Sequence, residues 1–281
     1  MNLKEKHEKL LYPVVRVFGK KGTGSGTIIY CNEDPKNNGE YLTFVLTNHH
    51  VIDDNIAYKK EWDSVLKRKR EQEIIDKAKV EVFSYVRLSE CDSSNRYNAD
   101  IVAYDKQHDL ALLKMETPRV FKTVAPLLPK DKIKDLKLFT EIAVSGCSMA
   151  HEPFINFGQL TYLNEIIDQK KYFMVNAGSY FGNSGGALFL AETGEMIGVP
   201  SRLTGIQLGF GIDMITFMGF SCHTERLYEF FEEQECQFIF DSSDTYYNAV
   251  ERRKKKQDKV TMSLRVRELN SDEKDDGDSD D

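Results

Sequence analysis

Phe181-Gly182-Asn183-Ser184-Gly185-Gly186-Ala187 is the stretch on which the reading of this chain turns. Glycine leaves no side chain in the way of an approaching carbonyl group. It also reaches positive φ, so backbone N–H groups can turn inward as donors to a developing oxyanion. The string alone reads more readily as an ordinary tight turn. A serine hydroxyl is a poor nucleophile near neutral pH and needs a base that is itself oriented by a third group. Two upstream stretches offer both partners. Thr47-Asn48-His49-His50-Val51 closes a strand-like run, where a sheet edge could aim His50. Asp109-Leu110-Ala111-Leu112-Leu113-Lys114 sets a carboxylate directly before an apolar run, and a carboxylate buried there needs a partner such as an imidazole N–H.

Outward from these three points the texture is that of short strands and glycine-rich turns. Val14 to Phe18, Thr27 to Tyr30, Tyr41 to Thr47, Val80 to Val86, Ala99 to Tyr104 and Leu110 to Met115 read as strands. A lysine- and proline-punctuated crossing, Pro118 to Lys137, separates them from a second set. That set comprises Glu141 to Ser145, Gly158 to Leu163, Tyr172 to Asn176, Ala187 to Leu190, Met196 to Pro200 and Gly209 to Ile215. Such spacing points to a barrel or sandwich. Asn2 to Leu11, Thr224 to Glu235 and Ser242 to Lys259 have helical character. The densely charged segment from Ala57 to Lys79 carries Trp62, Val65, Leu66, Ile74, Ile75 and Ala78 at partly helical spacing, which predicts an amphipathic helical insertion.

The 281 residues suffice for one large all-β unit or two packed lobes. The net charge of −7 is concentrated at the end of the chain: Ser271 to Asp281 holds seven acids against Lys274 alone, leaving the rest near −1. No global field therefore argues for nucleic acid or a membrane. The runs Lys67-Arg68-Lys69-Arg70 and Arg252-Arg253-Lys254-Lys255-Lys256 read as a solvated face and a self-screening terminus. Five scattered cysteines (Cys31, Cys91, Cys147, Cys222, Cys236) show no zinc-type spacing and read as free thiols. A charged N-terminus and the lack of a long apolar run predict a cytoplasmic protein without a membrane span.

The three motifs together resemble the trypsin-like serine peptidases, and within them the HtrA/Deg type. That family carries T-N-x-H-V at the base, D-x-A-L-L-K at the acid and G-N-S-G-G at the nucleophile. Gly24-Ser25-Gly26 and Gly209-Phe210-Gly211-Ile212-Asp213 are lesser echoes. The resemblance covers about residues 12 to 235. It implies an all-β, chymotrypsin-like fold of two six-stranded antiparallel β-barrels, with the helical insertion at about 57–79 in the first lobe and a C-terminal helix. The expected division is 1–120, 121–240 and a polar tail at 241–281. Carried over by position, His50 is the general base, Asp109 its orienting carboxylate and Ser184 the nucleophile; the N–H groups of Gly182 and Ser184 form the oxyanion hole. His49 fills the variable slot and receives no role. Asp100 and Asp105 are expected on exposed edges. Gly178 stands where relatives specific for basic side chains place an aspartate, so Gly178, Ser179 and Gly211 are expected to line a pocket for small or apolar side chains.

Three departures from the family pattern stand out: Ala187 in place of a proline, Asn183 in place of the aspartate of digestive relatives, and the insertion itself. The resemblance implies a polypeptide substrate and no metal or organic cofactor, and no PDZ-like domain is evident after Phe240; it leaves the oligomeric state open. Two other readings compete. A nucleophile elbow of the α/β-hydrolase type needs a helix after Ser184, whereas Ala187 to Val199 reads as a hairpin. A catalytically silent protease-fold binding module is the second.

Overall fold

The computed structural model describes residues 1–63 and 68–258. Val65, Leu66, Lys67, Lys259 and the acidic run from Ser271 lie outside them. The first elements are α1 (Leu3–Lys6), β1 (Val14–Phe18), β2 (Thr23–Glu33), β3 (Tyr41–Thr47) and α2 (His49–Ile52). Then come β4 (Ile56–Asp63), β5 (Arg68–Ile75), β6 (Ala78–Val86), β7 (Glu90–Asp105) and β8 (Leu110–Met115). The second half supplies β9 (Glu141–Gly146), β10 (Phe154–Ile167), β11 (Lys170–Val175), β12 (Ala187–Leu190), β13 (Met196–Leu208), β14 (Gly211–His223) and α3 (Thr224–Glu233).

Two closed antiparallel barrels result, in the orders β1-β2-β3-β8-β7-β6 and β10-β11-β14-β13-β12-β9. Closure pairs every strand on both sides and so removes the exposed edges that an open sheet would carry. Each barrel is filled by its own inward-facing apolar residues. In the first these include Val15, Val17, Ile28, Val45, Val80 and Leu113. In the second they include Ile142, Val144, Leu160, Phe173, Leu188 and Ile197. At roughly 1.5–3 kcal/mol for each fully buried side chain, these two cores are the main favourable term in folding.

The predicted helical insertion is corrected: β4 and β5 form a separate two-stranded antiparallel sheet, with Ile56 opposite Ile75 and Asp63 opposite Arg68. The pairing sets Lys60 opposite Glu71 and Tyr58 opposite Glu73, the kind of cross-strand pair that stabilises a ladder. No glycine or proline between Ala57 and Lys79 punctuates the segment, so the hairpin carries no local turn signal and its apolar residues mimic helical spacing. Trp62 and Tyr58 are 64% and 62% exposed, and among the described residues of the segment no apolar stripe is buried of the kind an amphipathic helix would bury.

The chain separates into two compact units, the first ending at Phe230 and the second beginning at Phe231. In the second, residues 246–258 are helical. Arg252 bonds both Glu235 Oε2 (3.2 Å) and Asp244 Oδ1 (2.9 Å), and the Phe238 ring meets Tyr246 edge-on at 5.8 Å. Among the described residues no helix is long and apolar enough to cross a membrane.

Candidate active site

Strand register brings the base and acid motifs together. In the antiparallel β3–β8 pair Thr47 lies opposite Ala111. His50, three residues after Thr47, and Asp109, two residues before Ala111, therefore leave the sheet at the same end. The His50 backbone N–H donates to Asp109 Oδ1 (2.9 Å), and His50 Nδ1 donates to Asp109 Oδ2 (2.8 Å). This two-point grip fixes the imidazole tautomer and leaves Nε2 outward as the acceptor. Burial pulls the His50 pKa down, but the hydrogen bond and charge of Asp109 outweigh it, leaving His50 raised. Burial likewise pushes Asp109 up, and its bonds to His50 more than reverse this, so the carboxylate sits below its ordinary range.

Asp109 adopts a left-handed backbone, with φ 59°. Such a conformation costs on the order of 1–2 kcal/mol in a non-glycine residue, and its neighbours hold it in place. Asn48 Nδ2 donates to the Asp109 carbonyl at 2.6 Å, while Ser201 Oγ donates to Asp109 Oδ2 at 2.8 Å. Neither residue receives a role from sequence reasoning. Asn48 could have been found because it matches a fixed letter of the T-N-x-H-V motif; Ser201, beyond all three motifs, has no such signal. His49 turns the other way and is buried, its ring 5.3 Å from that of Tyr104, and burial lowers its pKa.

The second barrel presents the Ser184 loop by the same logic. Ala187 at the start of β12 pairs with Ser145 near the end of β9, so the loop before β12 and the turn after β9 share one rim. Gly182 and Gly185 have φ of 96° and 84°, a region glycine enters without steric cost. A Cβ on Gly185 would collide with the Ser25 carbonyl and the Thr47 hydroxyl and lie 3.0 Å from Asn48 N. Only glycine permits the loop to lie that close to the histidine segment.

Ser25 ties the two barrels together. Its N–H donates to the Ser184 carbonyl (2.8 Å) and its carbonyl accepts from Thr47 Oγ1 (2.7 Å). Its hydroxyl donates to the Gly182 carbonyl (2.5 Å) and accepts from Cys147 N (2.7 Å). Among the described residues, the N–H groups of Gly182 and Ser184 donate to no protein acceptor. These two donors lie either side of Asn183, whose own N–H bonds the Tyr180 carbonyl at 3.1 Å. His50 and Asp109 are thus joined directly, and Ser184 is set against the His50 segment through Ser25 and Gly185. No hydrogen bond joins Ser184 Oγ to His50.

The expected pocket residues separate. Gly178 and Ser179 are buried in the loop that follows β11, where Ser179 N donates to the Thr216 carbonyl at 2.8 Å. Gly211 is not brought to them: it lies at the exposed tip of the β13–β14 hairpin, opposite Leu208, with nothing within 4 Å of an added Cβ. Gly219 packs against Ser179 instead, and its missing side chain is what leaves room for the Ser179 hydroxyl. The hairpin pairs over a far longer stretch than the Gly209 to Ile215 strand read from sequence, which carries its tip away. Asp105 is also not at an exposed edge. Its side chain is 12% exposed and accepts from His108 Nδ1 (2.7 Å) and Arg226 Nη2 (2.6 Å). Asp100 is half-exposed beside Lys77.

The sequence matches the trypsin-like peptidase domain over residues 24–199. The chain belongs to that family. The matched span of the trypsin-like peptidase domain contains His50, Asp109 and Ser184 and stops short of Ser201. In fold the chain is similar to a serine endoprotease from Yersinia pestis, at 18% identity and a TM-score of 0.54, covering 83% of this chain and 66% of that one. It is also similar to an HtrA-type protease solved with a tripeptide, at 17% identity and a TM-score of 0.56, covering 86% of this chain and 65% of the other. The chain therefore spans just under two thirds of the length of each. No curated protein matches by sequence. The family assignment and the double barrel agree with the resemblance read from the three motifs.

Proposed function

We propose that this chain is a serine endopeptidase that cleaves polypeptides through an acyl-enzyme. The observation that carries the reading is the two-point grip of Asp109 on His50, together with a glycine-bounded Ser184 that Ser25 ties to the His50 segment and whose N–H, like that of Gly182, meets no protein acceptor. In this mechanism Ser184 Oγ attacks the scissile carbonyl carbon as His50 Nε2 takes the hydroxyl proton. Asp109 stabilises the imidazolium without accepting its proton. The oxyanion is received by the Gly182 and Ser184 N–H groups. Collapse of this intermediate breaks the C–N bond, and His50 returns its proton to the leaving amine. A water molecule, deprotonated by His50, then repeats the sequence on the acyl-enzyme and restores Ser184. The Ser184–His50 hydrogen bond forms when substrate binds, as catalytic hydrogen bonds that are long or absent in the free enzyme commonly do.

The buried, uncharged Gly178 and Ser179, with Gly219 alongside, support a preference for small or apolar side chains before the cleaved bond. The alternative is a binding module on the same fold, and the missing Ser184–His50 hydrogen bond is the feature that favours it. A fluorophosphonate probe separates the two. A peptidase labels at Ser184 and the Ser184→Ala variant does not; a folded wild-type protein that stays unlabelled is the binding module.

A further inference from the structure

Between the β7–β8 turn and the start of α3 lies a cavity of about 160 Å³ that the peptidase reading leaves unused. His108 comes to it from the first barrel, Lys170 and Lys171 from the start of β11, and His223 from the end of β14. Glu225 and Arg226 reach it from the first turn of α3. Most of its charged groups are already paired. Arg226 Nη2 bonds Asp105 Oδ2 (2.6 Å) and its Nη1 bonds Glu229 Oε2 (3.1 Å), while Lys171 Nζ meets Glu225 Oε2 at 3.4 Å. Lys170 is different: among the described residues its ammonium has no hydrogen bond or ion pair.

The second unmatched donor is His223. It is 7% exposed, its ring lies 4.1 Å from that of Phe173 between centroids, and its Nδ1 accepts the Glu225 N–H at 3.2 Å. A ring nitrogen that accepts carries no proton, so the neutral imidazole holds its hydrogen on Nε2. Burial pulls the His223 pKa below its ordinary value and keeps the ring in that neutral form. Among the described residues Nε2–H meets no acceptor; the Glu225 carboxylate approaches only Nδ1, at 3.7 Å, too far for a hydrogen bond. With Phe173 against the ring and the helix on Nδ1, the Nε2 edge is the part left to the cavity. A buried N–H without an acceptor is costly, and such a group in a native structure calls for a ligand or a water. The positive end of the ten-residue α3 adds to the same field.

We propose that this cavity binds a small monocarboxylate, held by the His223 Nε2–H, the Lys170 ammonium and the N-terminal end of α3. The unmatched groups are donors, which suits a ligand that only accepts. Among the described residues no three His, Cys, Asp or Glu side chains are arranged to hold a metal ion. Glu225 and Glu229 stand at the rim, with side chains 51% and 57% exposed. They repel a dianion about twice as strongly as a monoanion, which favours a carboxylate over phosphate. The bound anion would join the β7–β8 turn to α3. The inference goes beyond the peptidase reading and does not involve Ser184.

Acetate is the probe. Histidine ¹⁵N spectra of the full chain should show the His223 Nε2–H resonance moving and saturating, with a Kd of about 1 mM for so small a ligand. At ten times that Kd the thermal midpoint should rise by about 3 °C. Potassium chloride at matched ionic strength should do neither, and inorganic phosphate should bind more weakly than acetate. Lys170→Met keeps the stem, removes the charge and should weaken acetate about tenfold, the scale of one charge-assisted bond. His223→Phe keeps the ring beside Phe173, removes the donor and should abolish the acetate-dependent rise in midpoint. If that variant does not fold, Lys170→Met decides alone. No saturable movement of the His223 resonance, an equal response to chloride, tighter binding of phosphate, or unchanged affinity in Lys170→Met would each overturn the proposal.

Discussion

Asp109→Asn gives the sharpest test, because the structure dictates which way the new amide must face. Oδ1 receives a backbone donor, the His50 N–H at 2.9 Å, and a backbone donor cannot rotate away. Oδ2 receives His50 Nδ1 and the Ser201 hydroxyl, both at 2.8 Å; the hydroxyl can turn and the imidazole can change tautomer. The amide oxygen therefore keeps the Oδ1 place and the NH₂ group takes the Oδ2 place. Facing an NH₂ donor, Nδ1 must become an acceptor, and the proton moves to Nε2. That is the tautomer which cannot accept the Ser184 proton. Geometry survives and chemistry does not, so turnover should fall by about 10⁴-fold, or roughly 5.5 kcal/mol of transition-state stabilisation. The second-order rate of fluorophosphonate labelling reads this directly, with a thermal melt to show that the fold persists. A folded Asp109→Asn protein that labels within tenfold of wild type would refute the assignment of both residues.

The raised His50 pKa predicts that labelling declines, as pH falls, at a point above the ~6.5 of a free imidazole; NMR titration of ¹³C-histidine should show the same. In Asp109→Asn, where only the Asp53 charge still opposes burial, that titration should move to lower pH. The same raised value means that protonated His50 stabilises the fold below the unfolded pKa, a contribution lost as pH rises through the folded one. Gly185→Ala combines collision with Ser25 and Thr47 and a left-handed φ. It should destabilise by about 3 kcal/mol, seen as a lower denaturant midpoint, and an unchanged midpoint would contradict the loop geometry. Trp62, the sole tryptophan, is 64% exposed on the β4–β5 sheet. Iodide should quench its fluorescence nearly as well as that of a free indole, and strong protection would mean that the sheet lies against something.

What the amino-acid order settled by itself was whatever is encoded within a few residues. β1, β3, β8 and β12 begin and end where the sequence sets their largely apolar runs, and each residue of the proposed triad sits in a motif readable from five or six letters. Period-two patterning and turn glycines act locally, so they survive without any knowledge of the fold. The β4–β5 sheet failed that reading because its pairing lies in cross-strand partners up to nineteen positions apart, such as Ile56 and Ile75, with no glycine to announce the reversal. The site's supports are more distant still. Ser201 reaches Asp109 across 92 positions, Ser25 reaches Gly182 across 157, and the Met149 N–H meets the Phe181 carbonyl from a different turn. A lone serine or methionine carries no signature of such work. Its role arises only when two barrels close and set their rims together, because a hydrogen bond is defined by distance in space and not along the chain.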